Sequence, residues 1–247
     1  MHTQLKVSFV IPAFNEERLL SLALASLSDE IERTGWPAEI IVVDDGSTDS
    51  TAEIANAFEV VVVRAPRGGL VNARRLGFLA AKGDLIANID ADTTIPRGWL
   101  MQVLREFERN PSLACISGPY IYKDISELAR AAVRLFYCIG FILHLLNQYV
   151  LRVGSMVQGG NFVVTRTALS RIGGYSDRFR FYGEDTDLGR RLIAVGRVKF
   201  KFGLWASSSG RRLRGEGIVR MGLRYASNFI WATWAHRPFT NDWKDIR

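Results

Sequence analysis

The sequence predicts an α/β domain built on a mostly parallel sheet with helices on both faces. Three observations predict it. Short apolar runs alternate with helical periodicity four times between residues 5 and 89. The runs Ile40-Ile-Val-Val43, residues 60–63 and residues 85–89 are close to continuously apolar, as strands covered on both faces must be. Each run also ends in a polar loop, and ligands of such sheets bind beyond the carboxyl ends of the strands.

Residues 5–11 form the first strand, and Pro12-Ala-Phe-Asn-Glu-Glu17 follows it. Asn15 is expected to cap a helix that Glu16 and Glu17 open, since acids suit the positive end of a helix. Its apolar positions are Leu19, Leu20, Leu22, Leu24, Leu27 and Ile31, and Gly35-Trp-Pro37 ends it. The second strand, residues 40–43, runs into Asp44-Asp45-Gly46-Ser47-Thr48-Asp49, where Ser47 or Thr48 is expected to cap the next helix. After the strand at 60–63, Arg67-Gly-Gly69 leads into a helix over residues 71–81.

The fourth strand, residues 85–89, ends in Asp90-Ala91-Asp92. Residues two apart in a strand point to the same side, roughly 6.6 Å apart along it. Two carboxylates so placed repel each other unless a positive charge joins them. A hard divalent cation with part of its shell from phosphate and water meets that need. The competing reading is that Asp92 caps a helix beginning near Pro96.

In the second half, residues 113–122 and 158–165 read as strands and residues 166–172 as a short helix. Gly159 and Gly160 permit close approach of a ligand to the backbone. Helical periodicity resumes at Leu188, Leu192 and Ile193, so Glu184, Asp185 and Asp187 crowd one helix start. One carboxylate suffices for a cap, and three in four residues exceed that need.

The ordered set resembles glycosyltransferase family 2. It comprises Val10-Ile-Pro-Ala-Phe-Asn-Glu-Glu17, Ile41-Val-Val-Asp-Asp-Gly-Ser-Thr-Asp49, Asn72-Ala-Arg74 with Gly77, Lys82-Gly-Asp84, Ile89-Asp-Ala-Asp92, Gly159-Gly-Asn-Phe162 and Gly183-Glu-Asp-Thr-Asp187. The resemblance implies a GT-A fold, a Rossmann-like nucleotide-binding half with a mostly parallel central sheet fused to an acceptor-binding half. Its expected limits are 1–205, with the nucleotide-sugar half at 1–118 and the acceptor half at 119–205. A basic, aromatic loop and helix follow at 206–247.

The resemblance also implies roles. Pro12, Ala13 and Phe14 would line the base, with Glu16 nearby. Asp44 and Asp45 would read base and ribose, Asp45 through a uracil imide, and Arg74 would lie beside base or diphosphate. Asp90, Ala91 and Asp92 would be the family's Asp-x-Asp, with Asp92 the metal ligand and Asp90 facing ribose and metal, the metal being Mn²⁺ or Mg²⁺. Asp185 would be the base of an inverting transfer, and Gly159, Gly160, Asn161 and Glu184 would meet the acceptor. Arg75 departs from the family, which often has Asn there.

The reaction so implied moves one sugar from a nucleotide-sugar donor, UDP before others, to a glycan or lipid-linked hydroxyl acceptor in cell-surface glycan or glycolipid synthesis. The processive members' Gln-x-x-Arg-Trp motif is absent. A sugar-phosphate nucleotidyltransferase would need a Gly-rich N-terminal signature with a following Lys, which is missing. A non-catalytic nucleotide-sugar-binding partner protein is the remaining rival, although it has no need of Asp90, Asp92 and Asp185 together.

The chain carries a formal charge of +7. From Arg211 onward eight basic residues face three acidic ones. That tail is either solvated or directed at an anion such as diphosphate, lipid headgroups or nucleic acid. No nucleic-acid motif accompanies it, which disfavours the last. The stretch from Ser207 to Arg214 reads as a mobile loop whose Arg211 and Arg212 close over the diphosphate.

Residues 135–151 carry no formal charge, yet one membrane crossing there would separate Asp185 from Asp92. An interfacial helix, a dimer-forming helix and a buried core helix remain as readings of residues 129–151. The helix at 218–234, with Arg220, Arg224, Trp231 and Trp234, suits either a membrane surface or packing on the domain. Cys115 and Cys138 read as reduced core residues, and the apolar start lacks a signal-peptide cleavage site. The expected location is therefore cytoplasmic, including peripheral attachment to the inner face of the membrane.

Overall fold

The structure is a computed structural model that describes residues 5–179 and 181–240. Arg180 of the 178–182 loop lies outside the described residues, as do Asp242, Lys244, Asp245 and Arg247 of the basic tail.

The first half alternates as its sequence requires. Strands β1 (Val7–Ala13), β2 (Ala38–Asp44), β3 (Val61–Arg64) and β4 (Leu85–Ile89) are separated by helices α1 (Leu20–Thr34), α2 (Thr51–Asn56) and α3 (Leu70–Ala80). β2 is parallel to β1 and β3, and β1 is parallel to β4. Successive residues of one strand enter opposite cores. Phe9 and Ile11 join Val42, Ala87 and Trp99 on one face, while Val10 joins Ile41, Ile86 and Phe162 on the other. Two buried faces explain why β1, β2 and β4 are apolar without alternation, whereas β3, expected to be covered on both faces, is the sheet edge and has no buried residue.

The second half adds β6 (Leu113–Ser117), β8 (Asn161–Thr165) and β9 (Arg197–Phe200), completing a seven-stranded sheet in the order β3-β2-β1-β4-β8-β6-β9. β8 runs antiparallel between β4 and β6. A small second sheet joins β5 (Thr93–Thr94), β10 (Ala206–Ser208) and β7 (Tyr120–Tyr122) above the rim where β4 ends. The remaining helices are α4 (Trp99–Arg109), α5 (Glu127–Leu145) with a π-helical continuation Leu146–Leu151, α6 (Arg166–Arg171), α7 (Glu184–Leu192), α8 (Arg211–Glu216) and α9 (Ile218–Trp234).

Several local expectations are corrected. The strand expected over 113–122 breaks at Gly118-Pro119, where Pro119 has no N–H for a ladder and Gly118 lets the chain pass close against the Leu204 backbone. Its halves enter different sheets. Asn15 does not cap α1, which starts at Leu20. It instead takes a left-handed φ of 52°, and its side chain accepts from the Thr48 N–H at 2.8 Å. Neither Ser47 nor Thr48 caps α2, since its N-cap position is Ser50 and the Ser47 hydroxyl accepts from the Asn15 N–H at 3.0 Å.

Asp92 does not cap the helix after Pro96. α4 begins behind Gly98, and the Glu30 carboxylate of α1 accepts from the N–H groups of Gly98 at 3.0 Å and Leu100 at 3.1 Å. Residues 207–214, read as a loop, instead supply β10 and the first turn of α8, because β10 finds partners in both β5 and β7. Cys115 is buried, but Cys138 is exposed on the outer face of α5. α5 itself is no core helix: among its own residues only Tyr137 and His144 are buried.

Candidate active site

The carboxyl edge of the parallel strands carries the polar loops. Pro12 and Ala13 end β1 in register with Val43 and Asp44 of β2. Asp44 accepts from the Ser47 N–H at 3.0 Å. Asp45, buried, accepts from the N–H groups of Gly68 at 2.7 Å and Gly69 at 2.9 Å and pairs with Arg67 at 2.5 Å. The Arg67 guanidinium in turn stacks on the Phe14 ring, 3.4 Å from its centroid. Arg67 thus clamps two of the expected base-pocket residues, Phe14 and Asp45.

Asp90, Ala91 and Asp92 follow β4, with Ala91 buried against the core. Asp90 accepts from the Tyr120 hydroxyl at 2.9 Å and from Arg74 at 3.1 Å. Arg74, on α3, is 1% exposed and spans the two halves of the fold. Its other bonds reach Glu184 at the start of α7 and the Gly159 carbonyl. Burial opposes its charge, but Glu184 and Asp90 more than offset that, so its pKa moves upward.

The Gly159-Gly160 turn brings the halves together. A Cβ on Gly160 would strike the Asp90 carboxylate and the Tyr120 hydroxyl, and one on Gly159 would lie 3.4 Å from Asp185 Oδ2. Asp185 therefore stands one residue along this turn from Asp90, on the same rim. Burial raises its pKa, against the opposing Thr186 N–H, Arg74 and the Gly159 N–H. Burial likewise pushes Glu184 up to about 7, with Asp185 adding and Arg74 opposing.

Asp92 completes the rim. Burial and then the neighbouring Asp90 push its carboxyl up to about 6, while Arg211 and the Ser208 hydroxyl oppose. Arg211 lies 3.2 Å from Asp92 and forms a two-pronged pair with Glu16, at 2.9 Å for the longer contact. The donor set fits a hard cation: two crowded carboxylates, each with only one arginine contact and oxygen atoms left to ligate. Among the described residues no three acidic, His or Cys side chains converge, so phosphate and water oxygens would complete its shell.

Not every expected residue faces this rim. Asn161 is fully buried, accepts from the Trp99 indole at 3.1 Å and donates to the carbonyls of Leu204 at 2.7 Å and Gly118 at 3.1 Å. Its side chain ties β8 to the small sheet and is closed to an acceptor. Glu184 faces Arg74 rather than open space. The Arg212 guanidinium stacks on Phe181 at 4.5 Å. The sequence places the Arg67-Gly-Gly69 loop at the rim without assigning Arg67 a role, and nothing in the spacing of Tyr120 distinguishes it from other strand residues.

Comparisons with known proteins bear on the family and the fold. A family model described as glycosyl transferase family 2 matches residues 8–173. The chain belongs to glycosyl transferase family 2. A second model, described as the N-terminal domain of galactosyltransferase, matches residues 148–202. A chondroitin synthase of Pasteurella multocida is 26% identical over 224 residues, covering 77% of this chain and 23% of that protein. The probable glycosyltransferase YdaM of Bacillus subtilis is 27% identical over 207 residues, covering 77% of this chain and 47% of YdaM. The chain thus spans less than half the length of either relative.

Among solved structures, the mannosyltransferase PcManGT of Pyrobaculum calidifontis, in complex with GDP-Man and Mn²⁺, superposes with a TM-score of 0.70 at 17% identity, over 95% of this chain and 64% of that one. The glucosyl-3-phosphoglycerate synthase of Mycobacterium tuberculosis, in complex with Mn²⁺, UDP-glucose and phosphoglyceric acid, gives 0.62 at 20% identity, over 96% and 81%. The fold of this family 2 chain is GT-A.

Proposed function

We propose that this glycosyltransferase moves one sugar, with inversion, from a UDP-sugar to a hydroxyl of a glycan or lipid-linked acceptor. The observation that carries the reading is the placement of Asp185 and Asp90 on either side of the Gly159-Gly160 turn. Phe14, Arg67, Asp44 and Asp45 border the base pocket. For Asp45 to read a uracil imide, the base must displace a donor from Arg67, Gly68 or Gly69. Asp92, aided by Asp90, would hold Mn²⁺ or Mg²⁺, which when bound neutralises the charge that gathers on the diphosphate.

Asp185 accepts the acceptor's hydroxyl proton while that oxygen bonds to the anomeric carbon and the carbon–phosphate oxygen bond breaks. The nucleoside diphosphate leaves with the bonding pair. Arg74 holds Asp90 and Glu184 in place, and Glu184 directly precedes the base in α7. Arg211, already at Asp92, is positioned to meet the diphosphate.

Asp185→Asn tests the assignment because it keeps shape and removes basicity. Donor binding by calorimetry should stay within about twofold, while transfer should fall by about 10²–10⁴. In the unsubstituted enzyme kcat should decline as pH falls, with a limb above the ordinary aspartate range because burial raises Asp185. Wild-type turnover in the variant would remove Asp185 as the base.

A further inference from the structure

The longest apolar helix of the molecule is inside out. On α5 and its π-helical continuation, the side that packs on the domain places polar groups beside Phe141, which packs on Phe200 and Phe202. Tyr137 donates to Gln158 at 2.7 Å and accepts from the Tyr120 N–H at 3.0 Å. His144 Nδ1 accepts from the Met156 N–H at 3.2 Å and contacts the Ser155 hydroxyl at 3.1 Å, and Asn147 is buried on the same side. Solvent receives Leu135, Ile139, Ile142, Leu146 and Val150, at spacings of three and four; Ile142 is 65% and Val150 69% exposed. A water-facing helix has the opposite polarity.

The stretch Glu127–Leu151 is long and apolar enough to cross a membrane. It does not cross one here. After the left-handed turn at Arg152, residues 155 and 156 run back beside His144, and β8 returns to the central sheet from residue 161. Such irregular backbone has no place in lipid. The helix lies along the domain with one side outward, the posture of an interfacial element.

A cleft of about 700 Å³ opens where this helix and α9 both end, away from the carboxylate rim. It is lined by Tyr149, Arg152, Arg190, Arg197, Trp234 and His236. Arg190 is paired with Asp187 at 2.8 Å, whereas the guanidinium groups of Arg152 and Arg197 have no acidic partner among the described residues. Exposed Tyr149 and Trp234 flank these charges, and Ile230 and Trp231 continue the apolar surface along α9. Aromatic rings beside unpaired arginines, next to an outward apolar helix, match the headgroup level of a bilayer.

We infer that α5 and the end of α9 seat the enzyme on an anionic membrane, with a lipid phosphate headgroup in the Arg152–Arg197 cleft. Charge selects this occupant over a second copy of the chain. A two-fold contact through this surface would set the arginines of one basic protein, formally +7, against those of another. The assignment goes beyond sugar transfer and does not rest on it.

Flotation with phosphatidylcholine vesicles, with and without about one-third phosphatidylglycerol, tests it. The protein should float with the anionic vesicles far more than with neutral ones, and salt should weaken it. Arg152→Glu with Arg197→Glu should reduce partitioning by about thirtyfold or more, taking about 1 kcal/mol for each arginine lost. Ile142→Glu with Val150→Glu should abolish it. All four positions are exposed, so thermal unfolding should be unchanged, confirming that the variants fold. Equal flotation on neutral vesicles, or charge reversal without effect, would overturn the headgroup cleft. A light-scattering dimer that Ile142→Glu with Val150→Glu converts to monomer, with no vesicle binding by the parent, would assign the surface to a second copy instead.

Discussion

Replacing Arg74 by Met probes the junction on which the site depends. Arg74 is fully enclosed and shares its charge among Glu184, Asp90 and the Gly159 carbonyl. Breaking a buried pair by removing one partner costs about 3–5 kcal/mol, because the other charge is left without compensation. In a domain of this size that lowers Tm by roughly 6–20 °C. Methionine fills similar volume, so the loss comes from charge rather than from a cavity.

The pH dependence separates Glu184 from the rest. Its folded pKa is raised from an ordinary 4.5 to about 7, with burial the leading cause and Arg74 opposing. A carboxyl with a raised pKa keeps its proton in the fold after the unfolded chain has lost it, so this group's contribution falls as pH rises from 4.5 towards 7. Without Arg74 the folded pKa rises further, and the loss continues above 7 at about 1.4 kcal/mol per unit. The variant's deficit in urea unfolding should therefore be larger at about pH 8.5 than at about pH 6. Adding Glu184→Gln should remove that growth. A deficit below about 1 kcal/mol, or one independent of pH, would refute the reasoning.

Asp92→Asn should leave UDP binding in chelator nearly unchanged and remove its tightening by Mn²⁺; calorimetry showing full tightening would detach the cation from this residue. Gly160→Ala drives a methyl group into the Asp90 carboxylate and the Tyr120 hydroxyl, so transfer should drop by about a hundredfold, while circular dichroism stays native.

The parts legible in the sequence are those set by local pattern. Uninterrupted apolar strands announced the doubly covered sheet, and the loops at Phe14, Asp44, Arg67 and Asp90 fall together because parallel strands share one carboxyl edge. Caps were less legible, since a helix start accepts any nearby acceptor. α4 takes its acceptor from Glu30, 68 residues before Gly98. Asn15, with the right chemistry to cap α1, is drawn instead to Thr48, 33 residues away. Asn161 illustrates the same limit: a glycine-flanked Asn next to the site looks like a ligand contact until its four partners in the core are seen.

The deeper reason the second half resists sequence reading is that its acids take their partners from the first half as well as from their own helix. Glu184, Asp185 and Asp187 occupy one helix turn, yet they do three different things. Asp187 binds Arg190 at 2.8 Å and Arg191 at 2.7 Å within its own helix. Glu184 answers Arg74, 110 residues earlier. Asp185 accepts from the Thr186 N–H at 2.8 Å and from the Gly159 N–H, and has no ion pair of its own among the described residues. Arg74 is what separates these fates, because it draws the first acid inward and leaves the second facing Asp90 across two glycines. One buried guanidinium thereby positions both acids to which we assign donor binding and acceptor activation, so under that proposal a change at Arg74 should disturb both, whereas a change at Asp185 should disturb only the second.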